Sequence, residues 1–116
     1  MSYLNYIQHV NTWFWGKTDT IVHKEGIATV ELQLDDNYPA IAFVKGLLVY
    51  ESNRKQGLGT EMLKLCEMIA RGMGYKYLQL SADKTKDWLV AWYQKMGFEI
   101  ICKDEHEYTM LKRIME

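Results

Sequence analysis

Asn53-Arg54-Lys55-Gln56-Gly57-Leu58-Gly59-Thr60 stands between an apolar run, residues 41–49, and an amphipathic stretch, residues 58–73. No other feature constrains the chain as much. A strand must enter a short glycine loop, and the loop must open a helix. Such a loop turns several backbone N–H groups toward one point, where the positive end of the helix dipole also lies. That suits a diphosphate, and Arg54 and Lys55 add positive charge beside it. A phosphorylated cofactor is the expected ligand.

The 116 residues suffice for one domain with a core and are too few for two. A formal net charge of −1 gives no reason to expect bulk binding of nucleic acid. No apolar run approaches the ~20 residues of a membrane span, and no signal-peptide pattern opens the chain. Cys66 and Cys102 read as small core residues, which fits a reducing cytoplasm.

Tyr3, Tyr6, Ile7, Val10, Trp13 and Phe14 recur at helical spacing, so residues 3–14 are expected to form a helix. Residues 20–23 and 27–34 read as two strands joined at Lys24-Glu25-Gly26. Residues 41–49 form the next strand, apolar enough to be covered on both faces. In the helix after the loop, Leu58, Met62, Leu65, Cys66, Ile69 and Met73 share one stripe. A strand at 75–81, a helix at 85–96 closed by Gly97, and strands at 98–102 and 108–114 follow. The expected fold is α/β (α+β), a mixed central sheet flanked by helices.

The glycine loop lacks two familiar signatures. A dinucleotide fingerprint needs a third glycine where Met62 stands, and a nucleotide-triphosphate loop needs a lysine after its last glycine. Alone, Gly-x-Gly before a helix serves equally well as a tight connection. A second segment, Trp92-Tyr93-Gln94-Lys95-Met96-Gly97-Phe98, ends the second helix and begins the next strand.

Together, Arg54-x-x-Gly57-x-Gly59 and Tyr93-x-Lys95-x-Gly97-Phe98 resemble the two hallmark segments of the GNAT acyltransferase superfamily, in order and separation. The resemblance runs over residues 27–114. It implies acetyl-CoA, or a close acyl-CoA, as donor to an amine acceptor. It also implies that the strand at 41–49 splays from its neighbour and binds the pantetheine arm, with Leu47, Leu48 and Val49 nearest the thioester. Arg54, Lys55, Gln56, Gly57, Leu58, Gly59 and Thr60 would hold the diphosphate. The implied chemistry is direct attack of a neutral amine on the thioester in a ternary complex. By resemblance Tyr93 is the acid that protonates the leaving thiolate, a phenol near pKa 10 being neutral at pH 7. Packing in the core with a bonded hydroxyl is the plainer role for it.

Three departures limit the resemblance. The strand at 41–49 carries no carboxylate, its one charge being Lys45; Glu31 and Asp83 acting through water are the candidate bases, although each reads first as a solvated surface group and a bound water with an exit path could suffice. Only one helix is expected before the first hairpin where the family commonly has two. Part of the acceptor wall is then missing from this shortened N-terminal region or supplied otherwise: a second subunit provides it in a homodimer, or the acceptor is a large molecule that needs an open cleft. Seven residues before Tyr93, Lys86 stands where the family often has asparagine. Trp88 and Trp92 are expected in the core, while Lys84, Lys86 and His106 read as solvated, with no metal spacing among the histidines. The reading is a small cytoplasmic N-acetyltransferase without a metal; the alternative is a non-catalytic acyl-CoA-binding regulatory module, and third comes a scaffold whose loop is only a turn.

Overall fold

Alternation of apolar and polar residues sets the architecture. The computed structural model describes residues 7–12, 17–24, 28–35, 37–49 and 57–115. The elements are β1 (Ile7–Thr12), β2 (Lys17–Lys24), β3 (Ala28–Asp35), β4 (Ile41–Val49), α1 (Leu58–Gly72), β5 (Tyr77–Asp83), α2 (Asp87–Lys95), β6 (Glu99–Lys103) and β7 (Glu107–Arg113). The seven strands make one sheet in the order β1-β2-β3-β4-β5-β7-β6. All neighbours are antiparallel except β4 and β5.

Val30, Leu32 and Leu34 of β3, Ala42 and Val44 of β4, and Leu78, Leu80 and Ala82 of β5 point to one side and are buried. Met62, Leu63, Leu65, Cys66 and Ala70 of α1 and Val90 and Tyr93 of α2 join them in a single core. Both helices therefore cover the same face of the sheet. The alternate residues, including Glu31, Gln33, Phe43, Lys45 and Gln79, are half-buried or exposed on the opposite face. No helix among the described residues is long and apolar enough to cross a membrane.

Five expectations are corrected, the first being that residues 41–49 are covered on both faces: Phe43 is half-buried and Lys45 exposed on the face away from the helices. The expected helix at 3–14 is in its described part the strand Ile7–Thr12, paired along its whole length with β2. Ile7, Val10 and Thr12 are β-branched and Asn11 is a weak helix former, so pairing overrides the spacing. Its Tyr3, Tyr6, Trp13 and Phe14 lie outside the described residues, as does the junction at Glu25-Gly26. Cys102 is exposed, not buried, because it lies on the edge strand β6 beyond a bulge at Ile101. Trp88 is 70% exposed, since the nine-residue α2 buries the stripe through Val90 and Tyr93; Trp92 packs partly against the core. Met73, expected on the buried stripe of α1, is exposed at the helix end.

Lys84 is more than a solvated charge. Its Nζ donates to the Asp104 carbonyl at 2.6 Å and lies 5.4 Å from the Tyr108 ring centroid, which ties the β6–β7 turn to the end of β5. Near the other end of β7, Glu67 of α1 pairs with Lys112 of β7 at 2.8 Å and with Arg71 at 3.2 Å. Arg71 also donates to the Ile114 carbonyl at 2.9 Å. One carboxylate thus joins helix and C-terminal strand.

Candidate functional site

β4 and β5 are parallel neighbours for only three rungs: Ile41 with Tyr77, Ala42 with Leu78, Phe43 with Gln79. Beyond them β4 continues to Val49, still paired with β3. Likewise β5 continues to Asp83, paired with β7. The two strands therefore diverge, and the facing backbone edges of Val44–Val49 and Leu80–Asp83 are not bonded to each other. A wedge opens in the middle of the sheet, and among the described residues the facing main-chain edges of its two strands do not pair with each other.

Within β4 the register against β3 slips by one residue between the Glu31–Lys45 and Thr29–Leu48 pairs. Val30 consequently faces two residues, Gly46 and Leu47, in a bulge. Gly46 has φ 59°, in the left-handed region where a side chain is strained. A glycine inside an apolar run is the sequence signal for such a bulge.

β4 leads toward α1, whose N-cap Gly57 has φ 76° and ψ 10° and makes no side-chain cap bond. The Gly57 carbonyl accepts the Glu61 N–H at 3.0 Å, the first bond of the helix. The N–H groups of Leu58, Gly59 and Thr60 are the uncapped donors of the first turn. Gly59 and Thr60 are half-buried there. Of the other residues expected around the donor, Leu47 is packed partly against the core. Leu48 and Val49 are described in backbone only, and Arg54, Lys55 and Gln56 lie outside the described residues.

Tyr93 is held by the end of its own helix. The Phe98 N–H donates to the Tyr93 carbonyl at 3.0 Å, and the Gly97 N–H donates to the Gln94 carbonyl at 3.0 Å. Gly97 has φ 102°. This is the Schellman pattern, and its usual apolar contact is the Tyr93–Phe98 ring pair, with centroids 5.8 Å apart. The Tyr-x-Lys-x-Gly-Phe segment is thus a helix stop as well as a signature. α2 runs beside β5, and Tyr93 lies six residues into it. At about 1.5 Å per helical and 3.3 Å per strand residue, Tyr93 is as far back from the turn as Leu80, just past the last β4–β5 rung. Only 7% of Tyr93 is exposed, and burial pushes its phenol above the ordinary value. Its hydroxyl has no hydrogen-bond partner among the described residues.

The candidate bases separate. Asp83 Oδ1 accepts the Thr85 hydroxyl at 2.7 Å and the Thr85 N–H at 2.9 Å, opening the turn into α2. Those bonds hold its carboxyl below the usual range, which makes it a poor base and a turn residue. Glu31 is half-buried on the open face, directly opposite Lys45.

Among the hollows lined by described residues, two bear on the site. The larger, about 430 Å³, lies beyond the last β5–β7 rung, between Asp83–Thr85 and Glu105–Glu107. The smaller, about 300 Å³, lies on the open face at the closed end of the wedge, between Gln33, Asp35, Tyr38, Ile41, Phe43, Lys45 and Gln79. Phe43 and Gln79 are the last rung before divergence, so the smaller one borders the wedge. Among the described residues no group of three His, Cys, Asp or Glu side chains could hold a metal ion.

The sequence profile of the acetyltransferase (GNAT) family matches residues 4–98. No curated protein matches by sequence. Several solved structures share the fold at low identity. A GNAT family acetyltransferase from Elizabethkingia anophelis, with acetyl-CoA bound, is 16% identical, with a TM-score of 0.72 over 94% of this chain and 98% of that one. The PaiA N-acetyltransferase from Thermoplasma acidophilum, in complex with coenzyme A, is 19% identical, with a TM-score of 0.71 over 84% of this chain and 61% of that one. An acetyltransferase from Streptococcus agalactiae is 17% identical, with a TM-score of 0.69 over 85% and 68%.

Proposed function

Because the chain belongs to the acetyltransferase (GNAT) family, we propose that it transfers an acetyl group from acetyl-CoA to an amine in a ternary complex. The observation that carries this is the divergence of β4 and β5 past the Phe43–Gln79 rung. A pantetheine arm carries amide donors and acceptors, and the wedge offers the complementary backbone edges. The Elizabethkingia and Thermoplasma relatives with acetyl-CoA and coenzyme A bound support the same donor here.

In this reading the diphosphate meets the uncapped N–H groups of Leu58, Gly59 and Thr60, with Gly57 giving the turn. Arg54, Lys55 and Gln56 complete that grip. The sulfur points into the wedge past Leu47, Leu48 and Val49, which follow the bulge on its open side. Backbone N–H groups left unpaired there polarise the thioester carbonyl as negative charge develops on its oxygen.

Holding amine and thioester together supplies the proximity term. The amine nitrogen attacks the carbonyl carbon, the C–N bond forms, and the C–S bond breaks with its electrons on sulfur. Tyr93 donates the proton that the thiolate takes up. A phenol raised by burial stays protonated at pH 7, as an acid must. Two free cysteines suit the reducing cytoplasm proposed for this activity.

The test is thiol release from acetyl-CoA in the presence of an amine panel, with mass spectrometry of the acceptor. Release that depends on amine, with a gain of one acetyl group on the acceptor, is expected. Stabilisation by acetyl-CoA with no turnover on any amine would instead leave the acyl-CoA-binding regulatory module.

A further inference from the structure

Granted the acid role proposed for Tyr93, on which this rests, we infer that Lys112 is its positioning residue, seated between α1 and the stop of α2. Gly97 lies about one helical turn beyond Tyr93. It is at φ 102° and follows the last residues of α2. Lys112 lies against it from β7: a Cβ on Gly97 would stand 3.1 Å from the Lys112 Cε and 3.4 Å from its Cδ. Topology brings the two together. α2 runs back along β5, and four residues of helix span about 6 Å, or about two residues of strand. Tyr93 is level with Leu80, so Gly97 comes level with Leu78, the β5 partner of Lys112.

The ammonium fixes the course of the stem. Lys112 Nζ is 2.8 Å from Glu67 Oε1 of α1, and both side chains are mostly buried, 26% and 20% exposed. Glu67 is set in turn by Arg71, 3.2 Å from its other oxygen, and Arg71 donates to the Ile114 carbonyl at 2.9 Å. A lysine stem is flexible while its head is free. Anchored at both ends it has one course, and that course crosses Gly97.

α2 depends on such support. Nine residues are too few for a helix to stand alone, its N-cap Lys86 makes no side-chain bond, and it buries Val90 and Tyr93. Its position is set where its ends are fastened, in front by the Asp83–Thr85 turn and behind by the Gly97 stop. The stop is the nearer of the two to Tyr93. Without the Lys112 stem a gap opens over Gly97, the last turn gains room, and the hydroxyl that meets the sulfur moves with it. Lys112 carries no proton in the reaction and acts only through Tyr93.

The experiment is a double-mutant cycle on kcat. Thiol release from acetyl-CoA is followed with the fastest of spermidine, leucine and phenethylamine in the wild type, Lys112→Val, Tyr93→Phe and the double variant. Valine suits a strand and lacks the two carbons that meet Gly97. Misplacing a reacting group by about 1 Å can cost about 100-fold, and a loosened last turn is expected to lower kcat about tenfold with KM for acetyl-CoA nearly unchanged. In the Tyr93→Phe background the same substitution is expected to change kcat by less than about twofold, because no proton is left to place. Lys112→Met restores an unbranched stem over Gly97 while Glu67 keeps Arg71, and kcat is expected to return to within about threefold of wild type. An unaltered kcat in Lys112→Val, an equal loss in both backgrounds, or no recovery in Lys112→Met overturns the inference alone. A wild-type kcat in Tyr93→Phe overturns the acid role and this inference together, and no turnover on any of the three amines overturns both along with the transfer reading. If urea denaturation shows that Lys112→Val does not fold, Lys112→Thr takes its place in the cycle.

Discussion

Tyr93 is fixed by its own carbonyl before its hydroxyl does anything. The carbonyl accepts the Phe98 N–H, the ring meets Phe98, and the phenol is raised by burial. Tyr93→Phe keeps ring, carbonyl bond and packing, so it isolates the proton. Steady-state kinetics are expected to show kcat lowered by about 100-fold with coenzyme A affinity nearly unchanged; an unaltered kcat would remove the acid role. The cysteines diverge for the same reason of burial. Burial pushes the Cys66 thiol up to about 12 from 9.0, while Cys102 stands exposed on the edge strand. Iodoacetamide is expected to label Cys102 and spare Cys66 in the native protein. Between about pH 9 and 12 the unfolded chain loses the Cys66 proton and the folded one keeps it, so stability falls as pH rises. Urea midpoints for Cys66→Ala should decline less across that window. Glu31 and Asp83 were legible as carboxylates and not as roles. Only the Thr85 bonds disclose that one of them is a turn residue.

At the scale of elements, both helices end by the same device. The Tyr75 N–H bonds the Ala70 carbonyl and the Gly74 N–H bonds the Arg71 carbonyl, with Gly74 at φ 88°, as at Gly97 after α2. A Cβ on Gly97 would sit at left-handed φ and 3.1 Å from the Lys112 Cε, so Gly97→Ala is expected to cost about 1–2 kcal/mol by urea denaturation. A change under a few tenths would contradict the fixed stop. Glycine punctuation and apolar period together made α1, α2 and β3 to β7 readable from the sequence to within a few residues. β1 was not, because Ile7 and Val10 fit a helical face and a strand equally and only pairing with β2 decides. Trp88 and Cys102 failed for a related reason. Periodicity tells which residues share a face and not which face a short helix or an edge strand buries.

For the whole molecule, the arrangement follows from where pairing stops. β4 keeps β3, β5 keeps β7, and the break between them lies in front of α1 and beside α2. The glycine loop and the Tyr-x-Lys-x-Gly-Phe segment were visible as motifs, but the depth of the wedge and the bulge at Gly46 are matters of register, which no residue states alone. Amide hydrogen exchange with and without coenzyme A tests the arrangement most directly. Slowed exchange in Lys45–Val49, in Leu80–Ala82 and in Leu58–Thr60, with the remaining strands unchanged, is the predicted result. Unaltered exchange in those three segments at saturating ligand would contradict it.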